Sequence, residues 1–237
     1  MLKQIFNLES KVVLITGAAG IQGPEHVKAF ESVGAKVVAT DIEDTEIKLD
    51  VTDRNSIKKA TEQILKQCGK IDVLVNNAGA TGKMTADWDQ IIKVNLTGTY
   101  NCCQIIGAKI QSGAIINISS IYGLVGPDFS IYDQAEYAGK PMGVPAAYAA
   151  SKGGVIALTR YFASLYAPKI RVNCITPGGI FDNQSESFVK KYSAKTILGR
   201  MANKNEVSGA ILYLASDLSS YVTGANIIID GGLTAKA

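Results

Sequence analysis

Short runs rich in Val and Ile recur along this chain, and most are followed by a stretch with helical spacing. The runs are Lys11–Thr16, Lys36–Thr40, Ile71–Val75, Ala114–Ser119, Ile170–Ile175 and Asn226–Asp230. Their apolar character is nearly continuous, the pattern of strands buried on both faces of a parallel sheet. Between them, Asp53–Gln67 sets Ile57, Ala60, Ile64 and Leu65 on one face and Lys58, Lys59, Glu62 and Lys66 on the other. Ala86–Lys109 and Ala146–Tyr166 are longer and apolar nearly all round. They pack either against a second subunit as well as the sheet, or wholly within one subunit. This alternation predicts an α/β fold: a doubly wound parallel sheet of about seven strands, helices on both faces and right-handed crossovers.

No Pro/Gly/Ser linker, repeat or low-complexity tract interrupts the 237 residues, so one domain over 1–237 is expected. Two stretches are irregular. Asp41–Lys48 is short and acidic, with little room for a helix. Ile121–Pro145 holds three Pro, four Gly and three Tyr, and loops of that length are usually functional or mobile. At 47% hydrophobic and 19% charged, the chain should fold. A net charge of +3 without a basic stripe argues against a nucleic-acid partner. The apolar runs are too short to span a bilayer, and the N-terminus shows no signal-peptide pattern. With one histidine and no CxxC among Cys68, Cys102, Cys103 and Cys174, no metal site is expected; reduced thiols in a cytoplasmic protein are the simplest reading.

The first strand runs into Thr16-Gly17-Ala18-Ala19-Gly20-Ile21-Gln22-Gly23-Pro24. Glycines let the backbone turn tightly and approach a pyrophosphate, and the following helix N-terminus offers free N–H groups. Gly17, Gly20 and Gly23 are therefore candidate phosphate-loop residues; the alternative is an ordinary strand–helix turn. Asp41 ends the second strand, 18 residues after Gly23. A carboxylate there can accept from ribose hydroxyls of NAD and repels the extra phosphate of NADP. No Arg directly follows Asp41, so NAD is favoured and NADP stays open. Further along, Tyr148 and Lys152 stand four apart on a predicted helix and share a face. The ammonium can then lower the phenol pKa and make Tyr148 a proton donor or acceptor. None of the other nine tyrosines has Lys at +4.

These residues resemble the short-chain dehydrogenases/reductases, and the resemblance covers nearly the whole chain. It is carried by Thr16-Gly17…Gly23, Asp50-Val51, Asn76-Asn77-Ala78-Gly79, Asn95, Ser119-Ser120, Tyr148…Lys152 and Pro177-Gly178, then by Leu198–Met201 and Thr223-Gly224…Asp230-Gly231-Gly232. The resemblance implies a Rossmann fold, an NAD(P)-dependent oxidoreductase with a small-molecule substrate, and a homodimer or homotetramer. It places Asp50 and Val51 beside the adenine, and Asn77, Ala78 and Gly79 along the cofactor. It makes Ser120 the substrate-oxygen ligand, Tyr148 the acid/base, Lys152 a ligand of the nicotinamide ribose as well, and Asn95 the anchor of a relay water. Pro177, Gly178 and Ile180 are placed against the nicotinamide, with a substrate lid over 181–200.

Three departures from the family pattern stand out. Glycines fall at the first, fourth and seventh loop positions, so Ile21 occupies a site usually held by Gly. Ser120 and Tyr148 are 28 residues apart, about twice the single-domain norm, leaving an insert over 124–145. That insert carries Asp128, Tyr132, Asp133, Gln134, Glu136, Tyr137 and Lys140, side chains that can bind sugar hydroxyls or simply make a surface loop. Asp182 stands where a Thr usually bonds the carboxamide. The mixture resembles small reductases of bacterial surface-sugar and flagellin-glycan biosynthesis. Interconversion of a carbonyl and an alcohol on a sugar-like substrate is the first expectation. The alternatives are a 3-oxoacyl carrier-protein reductase, docking through Lys190, Lys191 and Lys195, and a non-catalytic dinucleotide sensor.

Overall fold

The structure, a computed structural model, describes residues 5–81 and 87–236. Seven parallel strands form one sheet: β1 (Val12–Thr16), β2 (Lys36–Asp41), β3 (Ile47–Lys48), β4 (Val73–Asn76), β5 (Gly113–Ile118), β8 (Ile170–Pro177) and β9 (Asn226–Ile229). The spatial order is β3-β2-β1-β4-β5-β8-β9. The chain builds outward from β1 to one edge, then returns and builds outward from β4 to the other. Strand order therefore reverses beside β1, and the crevice above that reversal is where ligands bind in such sheets. The six expected strands are all present, with ends within two residues of expectation. The seventh is β3, a two-residue strand in the Asp41–Lys48 stretch, where Thr40 pairs with Ile47 and Asp41 with Lys48.

Continuous Val/Ile runs become strands here because both faces are covered. Val12, Leu14, Leu74 and Ile115 pack on one side with α2 (Arg54–Cys68), Cys102, Cys103, Ile106 and Phe162. Val13, Ile15, Val73 and Ile116 pack on the other with Phe30 of α1 (Gly23–Ser32) and Ile211, Leu212 and Leu214 of α7 (Ser208–Ala215). Helix α2 follows its sequence closely. The Asp53 carboxylate accepts from the Asn55 N–H at 2.8 Å as N-cap, and Gly69 closes the helix in the left-handed conformation. Ile57, Ala60 and Ile64 face the sheet as the spacing requires.

The long helix expected over Ala86–Lys109 is broken in fact; its first residue, Ala86, lies outside the described residues. It comprises α3 (Trp88–Ile92), a π-turn at Lys93–Thr97, α4 (Gly98–Ile105) and a 3₁₀ turn at Gly107–Lys109. A π-turn inserts an extra residue per turn and re-aims side chains, often at functional sites. Helix α5 (Ala146–Tyr166) runs unbroken, as expected. The region before it folds into a 3₁₀ turn at Phe129–Tyr132 and a small hairpin of β6 (Glu136–Tyr137) and β7 (Lys140–Pro141). Ile131 and Ala135 of this insert bury against Phe188 and Tyr192 of α6 (Glu186–Lys195) and against Met201, forming a third, local core. A short α8 (Leu233–Lys236) follows β9.

The single histidine sits between two helices of one layer. His26 of α1 is fully buried, and its Nδ1 lies 3.1 Å from the Ser208 hydroxyl of α7. Burial lowers its pKa from 6.5 to about 4, so the folded chain resists a proton that the unfolded chain accepts. Stability is then lost as pH falls from 6.5 towards 4, by about 3 kcal/mol for this group. The urea midpoint of the native chain should fall more steeply between pH 7 and pH 4.5 than that of His26→Gln. Equal slopes would show that this histidine is not the cause.

Candidate active site

A cavity of about 980 Å³ lies over the carboxyl ends of the strands, running from Asp41 past Gly17 and Gly20 to Tyr148 and Lys152. Its floor is made by the loop after β1. Gly17 has φ +65, and a Cβ there would lie 2.5 Å from the Ala78 Cα. A Cβ on Gly23 would lie 2.3 Å from the Ala18 carbonyl oxygen. The first glycine lets the β1 loop press on the β4 loop, and the last lets α1 start directly beneath it, where its free N–H groups suit an anion. Ile21, in the position usually held by Gly, is half exposed and lines the cavity.

Asn77 ties the two loops together, its Nδ2 donating to the carbonyls of Gly17 at 2.7 Å and Thr16 at 3.2 Å. The Ala78 N–H donates to the Thr16 hydroxyl, and Gly79 continues along the wall. At the end of β2, the Asp41 carboxylate accepts from the N–H groups of Ala19 at 2.9 Å and Ile42 at 2.7 Å. These bonds hold it at the cavity rim while each oxygen keeps a further lone pair. Asp50 and Val51 line the same end, and Val51 is buried against Gly98. Pro177, Gly178 and Ile180 line the opposite end, where the Gly178 N–H donates to the Ile229 carbonyl and Ile180 bridges to Ala202. All the expected cofactor residues except Gly23, which lies beneath the loop, thus border one cavity.

The expected proton-transfer residues converge at its other end. Ser119 and Ser120 follow β5 but point apart. The Ser119 hydroxyl donates to the Lys152 carbonyl at 2.8 Å, whereas the Ser120 hydroxyl accepts from the Tyr122 N–H and reaches Tyr148. The Lys152 Nζ donates to the Ile118 carbonyl at 2.9 Å and sits 5.7 Å from the Tyr148 ring centroid. Asn95 lies in the π-turn. Its side chain accepts from the Ala80 N–H at 2.7 Å and donates to the Ala80 carbonyl at 2.9 Å and the Ser151 hydroxyl at 3.1 Å. It thereby joins the β4 loop to α5. The π-turn could not be read from a periodicity that looked like one continuous helix.

The expected electrostatics need correcting. Lys152 does not lower the Tyr148 pKa in the free chain. Burial raises it, and the hydrogen bond with Ser120 only partly offsets the rise. The buried lysine is itself lowered from 10.5 to about 8. Desolvation disfavours the charged form of both groups, and the ammonium faces a backbone carbonyl and the ring rather than a phenolate.

The insert also departs from a plain surface loop. Of its seven polar side chains, only Tyr132, Tyr137 and Lys140 reach the cavity. The Asp128 carboxylate is paired with Lys195, which holds its pKa down to about 2. The Lys191 Nζ donates to the carbonyls of Ser130 and Asp133. The Tyr137 hydroxyl donates to Asp182, which also pairs with Lys204. The Asp182 carboxylate is thus engaged in clasping the insert to the segment before α6. Gln184 is engaged too, donating to the Ile180 carbonyl and accepting from the Asp182 N–H. Sequence spacing gave no sign of this clasp.

Among the described residues no helix is long and apolar enough to cross a membrane, and no cluster of His, Cys, Asp or Glu could hold a metal ion. A family model described as enoyl-(acyl carrier protein) reductase matches residues 17–234. The chain is 39% identical to a 3-oxoacyl-[acyl-carrier-protein] reductase of Thermotoga maritima, covering 95% of this chain and 98% of that one. It is 31% identical to an NADP-dependent mannitol dehydrogenase of Hypocrea jecorina, over 99% and 96% of the two chains. A short chain dehydrogenase from Leptospira borgpetersenii, solved with bound NAD+, superposes with a TM-score of 0.85 at 38% identity, over 94% of this chain and 92% of that one. Fold, cavity and relatives agree that the chain belongs to the short-chain dehydrogenase/reductase family and is an oxidoreductase of the NAD(P)-dependent kind.

Proposed function

We propose that this enzyme interconverts an alcohol and a carbonyl on a small, polyol-like substrate, with NAD as its preferred partner. The observation that carries the reading is the insert. It folds over the cavity, is clasped to the lid region through Tyr137, Asp182 and Lys204, and lines the reacting end with phenols. Bound NAD supplies the hydride acceptor, or NADH the donor. The chain's part is proton transfer and positioning. The Ser120 hydroxyl bonds the substrate oxygen. The Tyr148 phenolate takes the alcohol proton in oxidation, and the phenol returns it in reduction. Lys152 supplies local positive charge and a ligand for the nicotinamide ribose, while Asn95 fixes the loop that carries Gly79. Pro177, Gly178 and Ile180 support the nicotinamide end, and Asp50 and Val51 the adenine end.

NAD preference rests on Asp41, a cavity-lining carboxylate at the end of β2, where an acidic residue would accept from ribose hydroxyls and repel an added phosphate. NADH should bind about 10²-fold more tightly than NADPH, because uncompensated like charges cost several kcal/mol. Fluorescence titration of both cofactors measures this, and Asp41→Ala should narrow the gap. A tighter NADPH complex in the native enzyme would overturn the assignment.

The acyl carrier-protein reading is favoured by the Thermotoga relative and by the description of the matching family model. Against it, Lys191 and Lys195 are engaged in holding the insert, which leaves Lys190 as the remaining docking candidate of the three. Turnover of open-chain and cyclic polyols with NAD+ should exceed turnover of a 3-oxoacyl thioester with NADH or NADPH; the reverse order would transfer the function to the acyl reading. We also read the chain as a single cytoplasmic domain that works as a homo-oligomer. Its four cysteines are free, and Leu96, Tyr100, Leu158 and Tyr161 line an apolar groove between α4 and α5, with Leu165 exposed beyond it. That face suits a second copy.

A further inference from the structure

We propose that Tyr122 and Tyr132, whose hydroxyls meet at 2.6 Å in the wall of the cavity that holds Tyr148, form a hydroxyl-binding pair selecting substrates with a second hydroxyl beside the reacting carbon. The inference rests on the alcohol–carbonyl reading above. Tyr122 stands two residues after Ser120 on the 3₁₀ turn Ile121–Gly123, so its position is set by the strand that delivers Ser120. Tyr132 comes from the insert, at the end of the Phe129–Tyr132 turn, held there by packing on Phe188 at 5.3 Å between ring centroids. Both are half-buried.

The hydrogen-bond inventory decides what the pair can recognise. Two phenols sharing one O–H···O bond retain one O–H donor and several lone pairs. A substrate hydroxyl can both accept from and donate to such a pair. A phenol carries no positive charge for a carboxylate or phosphate, and burial raises both pKa values, so the pair stays neutral. An alkyl chain in this place would leave a phenol donor unmet, at about 1–3 kcal/mol. Tyr192 lines the same cavity; its hydroxyl accepts from the Gly179 N–H, which fixes its position. Met142, Phe188 and Met201 complete this part of the wall and suit the carbon skeleton. The favoured substrate class is therefore a vicinal diol or longer polyol.

The test compares cyclopentane-1,2-diol with cyclopentanol, the same ring with and without the second hydroxyl, as substrates with NAD+. The native enzyme should prefer the diol. In Tyr132→Phe, and separately in Tyr122→Phe, the diol-to-alcohol ratio of kcat/KM should fall about tenfold, chiefly through KM for the diol. A ratio that stays within about twofold of native would overturn the proposal. So would an equal loss on both substrates accompanied by a fall in Tm, which would make the pair a latch for the insert only. If the native enzyme oxidises neither compound, the alcohol–carbonyl reading fails by itself. The pair is then judged by calorimetric titration of the diol into the enzyme–NAD+ complex. Weaker binding by Tyr132→Phe supports the pair, and unchanged affinity overturns it.

Discussion

Tyr148→Phe should lower kcat by about 10³-fold in both directions while leaving NADH affinity, read by fluorescence, near the native value. The substitution removes one oxygen and keeps the ring on which Lys152 lies. What is lost is the group that exchanges a proton with the reacting oxygen, a contribution made in the transition state rather than in the ground state. The direction of the phenol shift adds a pH signature. Burial holds Tyr148 above the ordinary value of 10, so at pH 7 it stands protonated and ready to serve carbonyl reduction. Alcohol oxidation needs the phenolate and should accelerate as pH rises above neutral, and Tyr148→Phe should abolish that rise. A variant that turns over at native rates would remove Tyr148 from the mechanism.

Lys152→Met should abolish most activity and yet stabilise the fold. Lys152 is buried, and its pKa falls from 10.5 unfolded to about 8 folded. Between those values the folded chain binds fewer protons than the unfolded one, so stability increases with pH across that window. Below pH 8 the full cost of holding a buried ammonium applies, about 3 kcal/mol. Met keeps the length of the stem and removes the charge. It also gives up the charge-assisted bond to the Ile118 carbonyl, worth about 2 kcal/mol. The net gain of about 1 kcal/mol corresponds to roughly 2–4 °C in Tm for a chain of this size. The stability rise between pH 8 and pH 10.5 should flatten at the same time. A variant less stable than native at pH 7 would show that the ammonium is not strained by its site. Such a charge, retained at the cost of stability, is a mark of functional sites.

The same residues show where local pattern is enough. β1 and β4 could be read because a run of Val and Ile without alternation suits only a strand covered on both faces. Helix α2 could be read because its face, its Asp53 cap and its Gly69 stop lie within one contiguous segment. Tyr148 and Lys152 share a face because four residues make just over one helical turn, and the loop from Gly17 to Gly23 turns as its glycines allow. By contrast, β3 is too short for a pattern of its own, and the π-turn around Asn95 hides inside helical spacing. The family resemblance assigns Ser120 rather than Ser119, and the structure gives the physical reason: the Ser119 hydroxyl is turned to the Lys152 carbonyl and that of Ser120 to Tyr148.

What the sequence by itself determined is the element order and the parallel sheet, because side-chain periodicity and turn chemistry are local; it also marked the glycine loop, Asp41, Tyr148 and Lys152 by spacing, while the other groups at the carboxyl edge were implied by the family resemblance. Tertiary structure alone decided the state of those groups and the shape of the space before them. Desolvation set the direction of both shifts, and for Tyr148 that direction runs against the expectation from its spacing to Lys152. Contacts between residues far apart in sequence, Tyr137 with Asp182 and Lys195 with Asp128, turned an irregular insert into a roof over the cavity. Burial and long-range contact depend on the whole packed chain, and no segment of it carries them alone.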